Sequence, residues 1–92
     1  MVKRIVVSHY VYEPDYCHAY IGIDGVIRFR DKIGEHTDIM QVAYVSRSVD
    51  MVTDAQCQAV VTLVLASTLK YGLPDGSVST VGLSWDELLR RA

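Results

Sequence analysis

The chain has 92 residues, half of them hydrophobic, and a net charge of −2, the composition of one folded domain spanning residues 1–92. A domain of this size buries about 60–65% of the surface its unfolded form exposes, so its core is adequate but small. These values exclude intrinsic disorder and a globally basic nucleic-acid binder, and they leave room for a local basic patch.

Val2 to Tyr12 alternates, with Ile5, Val7 and Val11 on one side and Arg4, Ser8, Tyr10 and Tyr12 on the other, which predicts a strand. Glu13-Pro14-Asp15-Tyr16 breaks it, because Pro14 presets a turn and has no N–H for a ladder. A second strand, Tyr16 to Ile23, runs into Asp24-Gly25, a hairpin signal. Closing that hairpin through Ile23-Asp24-Gly25, with Gly25 left-handed, pairs Ile21 with Ile27 and Ala19 with Phe29. Tyr20, Val26, Arg28 and Arg30 then share the opposite face, and a slip of one residue would invert every side chain.

Asp31 to Asp38 reads as a loop. Ile39 to Ser46 reads as a strand too apolar on both faces to sit at a sheet margin, so it is placed centrally. The longest element is a helix from Thr53 to Tyr71. Thr53 and Gln56 form a T-x-x-Q capping box, Val52 and Cys57 stand at staple positions, and Gly72 and Pro74 end it. Val60, Leu63 and Val64 are expected to pack against the sheet. Ser77 to Val81 reads as an edge strand. Ser84-Trp85-Asp86-Glu87 is a second capping box opening a short helix to about Arg91. The expected fold is α+β: a small antiparallel sheet of three to five strands packed on one long helix, with a short C-terminal helix.

Cys17 and Cys57 form no C-x-x-C pair, which points to a reducing, cytoplasmic location. The N-terminal apolar run is too short for a signal peptide, and Ala59 to Ala66 is far short of the ~20 residues that cross a bilayer. His9, Cys17, His18, His36 and Cys57 match no metal-ligand spacing, so neither metal nor cofactor is expected. Nothing marks an activated nucleophile, and no Gly-rich loop opens a helix. The acidic loop around Glu35, His36 and Asp38 reads as solvated. An enzyme is therefore not the expectation.

Binding equipment is present instead. Six tyrosines outnumber one Phe and one Trp, and Tyr10, Tyr12, Tyr16 and Tyr20 cluster in the first strands. Tyrosine supplies large amphipathic contact area at interfaces, although it is also a good strand residue. Arg28, Arg30 and Lys32 alternate along one strand with Tyr20 beside them, about 7 Å apart on one face. They form a candidate strip for phosphate or carboxylate. Arg90 and Arg91 make a second basic pair. The expected partner-binding residues are Arg28, Arg30, Lys32, Tyr20, Tyr10 and Tyr12.

In size, acidic balance, α+β layout and lack of a catalytic constellation the chain resembles small phage-encoded inhibitors of host defence, in particular anti-CRISPR proteins. No functional residue is carried over from them. The resemblance implies a stoichiometric inhibitor in the host cytoplasm that docks on a CRISPR surveillance complex and blocks target DNA engagement. Its partner is then a large protein or ribonucleoprotein, with guide RNA among the contacts and no membrane or small-molecule substrate. The competing expectation is a homo-oligomeric structural or regulatory module.

Overall fold

Five segments rich in β-branched and aromatic residues pair into one sheet: β1 (Arg4–Tyr10), β2 (Ala19–Ile21), β3 (Ile27–Phe29), β4 (Ile39–Val45) and β5 (Val78–Val81). Two helices, α1 (Asp54–Tyr71) and α2 (Trp85–Arg91), complete an α+β fold. The computed structural model describes every residue from Met1 to Ala92. No helix is long and apolar enough to cross a membrane.

The strand order is β3-β2-β4-β1-β5, which puts β4 at the centre as its two apolar faces require. Strand direction corrects the expectation of an antiparallel sheet. β1, β2, β4 and β5 run parallel, and only β3 is antiparallel, against β2. The Asp24-Gly25 turn makes the one hairpin. The connection Val11–His18 carries the chain back to the opposite end of the sheet before β2, so β1 and β2 point the same way.

The hairpin register is the expected one, with Ala19 opposite Phe29 and Ile21 opposite Ile27. Gly22 N–H donates to Val26 O at 3.3 Å, enclosing the loop Ile23-Asp24-Gly25. Gly25 has φ +77° there, a conformation open to glycine without strain.

One sheet face carries the core. Ile5, Val7, Ile21, Met40, Val42 and Tyr44 pack there against Cys57, Val60, Val61 and Val64 of α1 and Leu88 of α2. Leu63 packs from the margin, half-buried, and Val61 takes the buried position instead. Burial of each such aliphatic side chain is worth about 1.5–3 kcal/mol. Phe29, expected on the core face, points to that side but is 73% exposed, because β3 is the outermost strand and an open cleft lies between it and α1. Val11, also expected inside, is exposed, since β1 ends at Tyr10.

Both helix starts follow the sequence. Thr53 Oγ1 accepts from Gln56 N–H, Gln56 Oε1 accepts from Thr53 N–H, each at 3.1 Å, and Gly72 ends α1 left-handed. At α2, Ser84 Oγ accepts from Glu87 N–H, but Glu87 binds Arg90 rather than completing the box. Arg91 turns inward to Asp54 and Val52 O, so the C-terminal basic pair is spent within the fold.

Candidate interaction surface

Alternation sends Arg4, Val6, Ser8 and Tyr10 of β1, Tyr20 of β2, Arg28 of β3, Gln41, Ala43 and Val45 of β4, and Ser79 and Val81 of β5 to the face away from α1. No helix covers this outer face. The connection Val11–His18 crosses it. Pro14 in that connection is buried, and so is Ala43 beneath the outer face, at 1% exposure. The crossing from β1 to β2 and the α1 crossing from β4 to β5 run in opposite directions on opposite faces, so they share one hand.

Beside the crossing segment lies a groove of about 450 Å³ lined by Glu13, Tyr20, Gly22, Ile23, Asp24, Arg28 and Val45. Tyr10 flanks Val45 across the β1–β4 pair and is 40% exposed, while Tyr12, at the start of the crossing, is 82% exposed. Across the crossing, Val81 is 62% exposed and Ile39 38%. The structure thus gathers Tyr10, Tyr12, Tyr20, Arg28 and Arg30 around one face.

The basic strip differs from its expected form. Arg28 Nη1 and Nη2 donate to Asp24 Oδ1 and Oδ2 at 3.1 and 2.8 Å, with the guanidinium 6.0 Å from the Tyr20 ring centroid. That two-pronged hydrogen bond, with a further one from Val26 N–H, holds the Asp24 carboxyl down at about 2 and raises the Arg28 pKa. Arg30 pairs with Glu13 at 3.4 Å and donates to Pro14 O, fastening the crossing segment to the hairpin. Lys32 does not continue the alternation. β3 ends at Phe29, and Lys32 stands exposed in the following loop. Sequence spacing placed three cations in a row, but two of them already hold carboxylates of the same chain.

Two polar clusters were not legible. His18, 2% exposed, accepts from Gln41 N–H through Nδ1 at 2.8 Å and donates its backbone N–H to Gln41 O at 2.9 Å. Its ring proton is therefore on Nε2, 3.3 Å from Tyr16 Oη, and burial pushes its pKa down. His9 Nε2 lies 2.9 Å from Ser46 Oγ and 3.1 Å from Ser46 O, while Ser46 Oγ donates to Ser48 O. With the hydroxyl proton on Ser48, the imidazole donates to Ser46. A nucleophile–base pair needs the opposite polarity, so this contact fastens strand ends and does not activate Ser46. Gly82, at φ +112°, closes over the same spot. A Cβ there would meet Tyr44 Oη at 2.7 Å and His9 Cβ at 2.8 Å.

Cys17 and Cys57 are free and buried, and burial raises both thiols. No three His, Cys, Asp or Glu side chains converge. No family model matches this chain, and no curated protein or solved structure matches it significantly.

Proposed function

We propose that this protein is a non-catalytic interaction protein that docks on a large partner through the outer face of its sheet. One observation carries the reading. Four of the five strands are parallel, yet one face of the sheet is covered only by the crossing segment. Predominantly parallel sheets are normally covered on both faces. The surface left open presents Tyr10, Tyr12, Val45, Tyr20 and Val81, with Arg28 and Arg30 at its margin. Aromatic anchors with arginine at the rim have the make-up of interface hot spots.

In its specific form the proposal is a stoichiometric inhibitor of a CRISPR surveillance complex that prevents target DNA engagement. Size, acidic balance and an aromatic rather than strongly basic surface support it. With Arg28 and Arg30 partly neutralised in place, docking on the protein subunits is favoured over gripping the guide RNA backbone. The test is a DNA mobility-shift assay with purified surveillance complex and increasing amounts of this protein. DNA binding should be lost at a stoichiometric ratio, and a Tyr10→Ala, Tyr12→Ala variant of unchanged melting temperature should need far more protein. DNA binding that persists at excess protein would reject the inhibitor reading.

A further inference from the structure

The free margin of the hairpin makes a second surface, distinct from the outer face. In the β2–β3 pair, Gly22 N–H donates to Val26 O and Arg30 N–H donates to His18 O. Even-numbered residues of this stretch therefore turn their backbone groups toward β2. The antiparallel pattern sends the N–H and C=O of Ile27 and Phe29 the other way, to solvent. β3 is the outermost strand, so these groups are an unpaired edge.

The side chains flanking this edge are sorted by chemistry. Toward the α1 side, Phe29 is 73% exposed and opens a cleft of about 240 Å³ with Ile33, Met40, Leu63 and Tyr71. Toward the outer side stand Arg28 and Arg30, their side chains 42% and 36% exposed. Arg28 uses Nη1 and Nη2 on its own chain, and Arg30 uses only Nη1. Each keeps Nε–H for a further acceptor.

We propose that β3 accepts an added strand: an extended segment of a partner protein in which apolar and acidic residues alternate. Its backbone pairs with Ile27 and Phe29. Its apolar side chains enter the Phe29 cleft, and its carboxylates lie opposite Arg28 and Arg30. A second copy of this chain is the wrong occupant. No strand of the chain carries Asp or Glu. Self-pairing of β3 that sets Ile27 opposite Phe29 would also place Arg28 against Arg28, a like-charge pair. The short, arginine-bearing edge rejects its own kind and admits an acidic strand.

This proposal shares Arg28 and Arg30 with the outer-face reading but stands on the backbone edge, so the two fail separately. The probe is a short blocked peptide of alternating valine and glutamate, added at millimolar concentration to the isotope-labelled intact protein. Amide exchange at Ile27 and Phe29 should slow by roughly tenfold or more, the factor matching a gain of about one to two net hydrogen bonds. A peptide with lysine for glutamate, and a peptide N-methylated at every residue, should each bind at least about tenfold more weakly. A Phe29→Ser variant should bind more weakly with an unchanged melting temperature. If that variant fails to fold, the peptide comparison on the unaltered protein still decides. Unchanged exchange at Ile27 and Phe29, equal binding of the lysine or methylated peptides, or protection that appears only as the protein dimerises would overturn the proposal.

Discussion

Gln56 Nε2 donates to Val45 O at 2.8 Å, joining the first turn of α1 to the end of the central strand. The same amide nitrogen reaches Gly22 O at 3.0 Å at the hairpin, and its oxygen caps Thr53 N–H at 3.1 Å. One buried side chain therefore sets the helix start against two strands. That anchoring positions the β2–β3 hairpin, and with it Tyr20 and Arg28 on the outer face.

Gln56→Leu should strip Val45 O and Thr53 N–H of their side-chain partner, while Gly22 O keeps the bond from Gly25 N–H at 2.9 Å, and should cost about 1–3 kcal/mol in urea unfolding. Thr53→Ala, which removes only the cap, should cost about 1 kcal/mol. Val64→Ala, in the buried face, should cost about 2 kcal/mol, and Leu63→Ala, at the margin, less. Equal losses for Leu63 and Val64 would contradict the helix orientation.

Helix limits and hairpin register were legible because both are written locally. Thr53, Gln56 and Gly72 bracket α1, and Asp24-Gly25 fixes the pairing of Ile21 with Ile27. Strand direction was not legible, because β4 slots between β1 and β2 through contacts distant in sequence. The same distance hid Gln56 on Val45, His18 on Gln41 and His9 on Ser46. Of the expected surface residues, Tyr10, Tyr12, Tyr20, Arg28 and Arg30 do share one side. Residue type gave no sign that Asp24 and Glu13 would occupy the two arginines, and alternation failed at Lys32 because the strand had ended.

The Asp24–Arg28 pair should give the hairpin an acid-sensitive step. The Asp24 pKa falls to about 2 from an ordinary 3.8, so its folded state binds protons more weakly than the unfolded chain. The stabilisation is then present above pH 3.8 and lost as pH falls toward 2. The protection of the hairpin amides, taken relative to their intrinsic exchange rate at each pH, should fall as pH drops across that window, and Asp24→Asn should remove the step. Because of the pair, Arg28→Glu with Arg30→Glu should not be neutral for the fold. Glu at both positions would face Asp24 and Glu13 and loosen the hairpin, so aromatic substitutions are the cleaner probe of docking.

His18 should produce a second pH dependence. Its pKa lies below the ordinary 6.5 because burial disfavours the cation, and protonating Nδ1 would break the bond from Gln41 N–H. Folding stability from this group is full above pH 6.5 and falls as pH drops through the folded value. His18→Phe should flatten that part of the pH profile of the melting temperature. It should also cost about 1–3 kcal/mol at neutral pH by orphaning the Gln41 N–H. An undiminished slope in this variant would place the titration elsewhere.

Both thiols should be silent in the native state. Cys17 and Cys57 are 1% and 0% exposed with raised pKa values, so a thiol reagent should react only as fast as the protein opens. Labelling should therefore speed up with added urea in parallel for the two residues. Rapid labelling of Cys17 alone without denaturant would show that the crossing segment opens locally.

Phage plating on CRISPR-immune bacteria tests the central claim most directly. Hosts each carrying one CRISPR type, immune to the plated phage, would express either this protein or its Tyr10→Ala, Tyr12→Ala variant. The account predicts that plating is restored in at least one host by the unaltered protein. The variant, at equal level and melting temperature, should lose most of that effect, since two aromatic anchors removed together cost roughly a hundredfold in affinity. Immunity intact in every host, or restoration undiminished by the variant, would contradict docking of an inhibitor through the outer face.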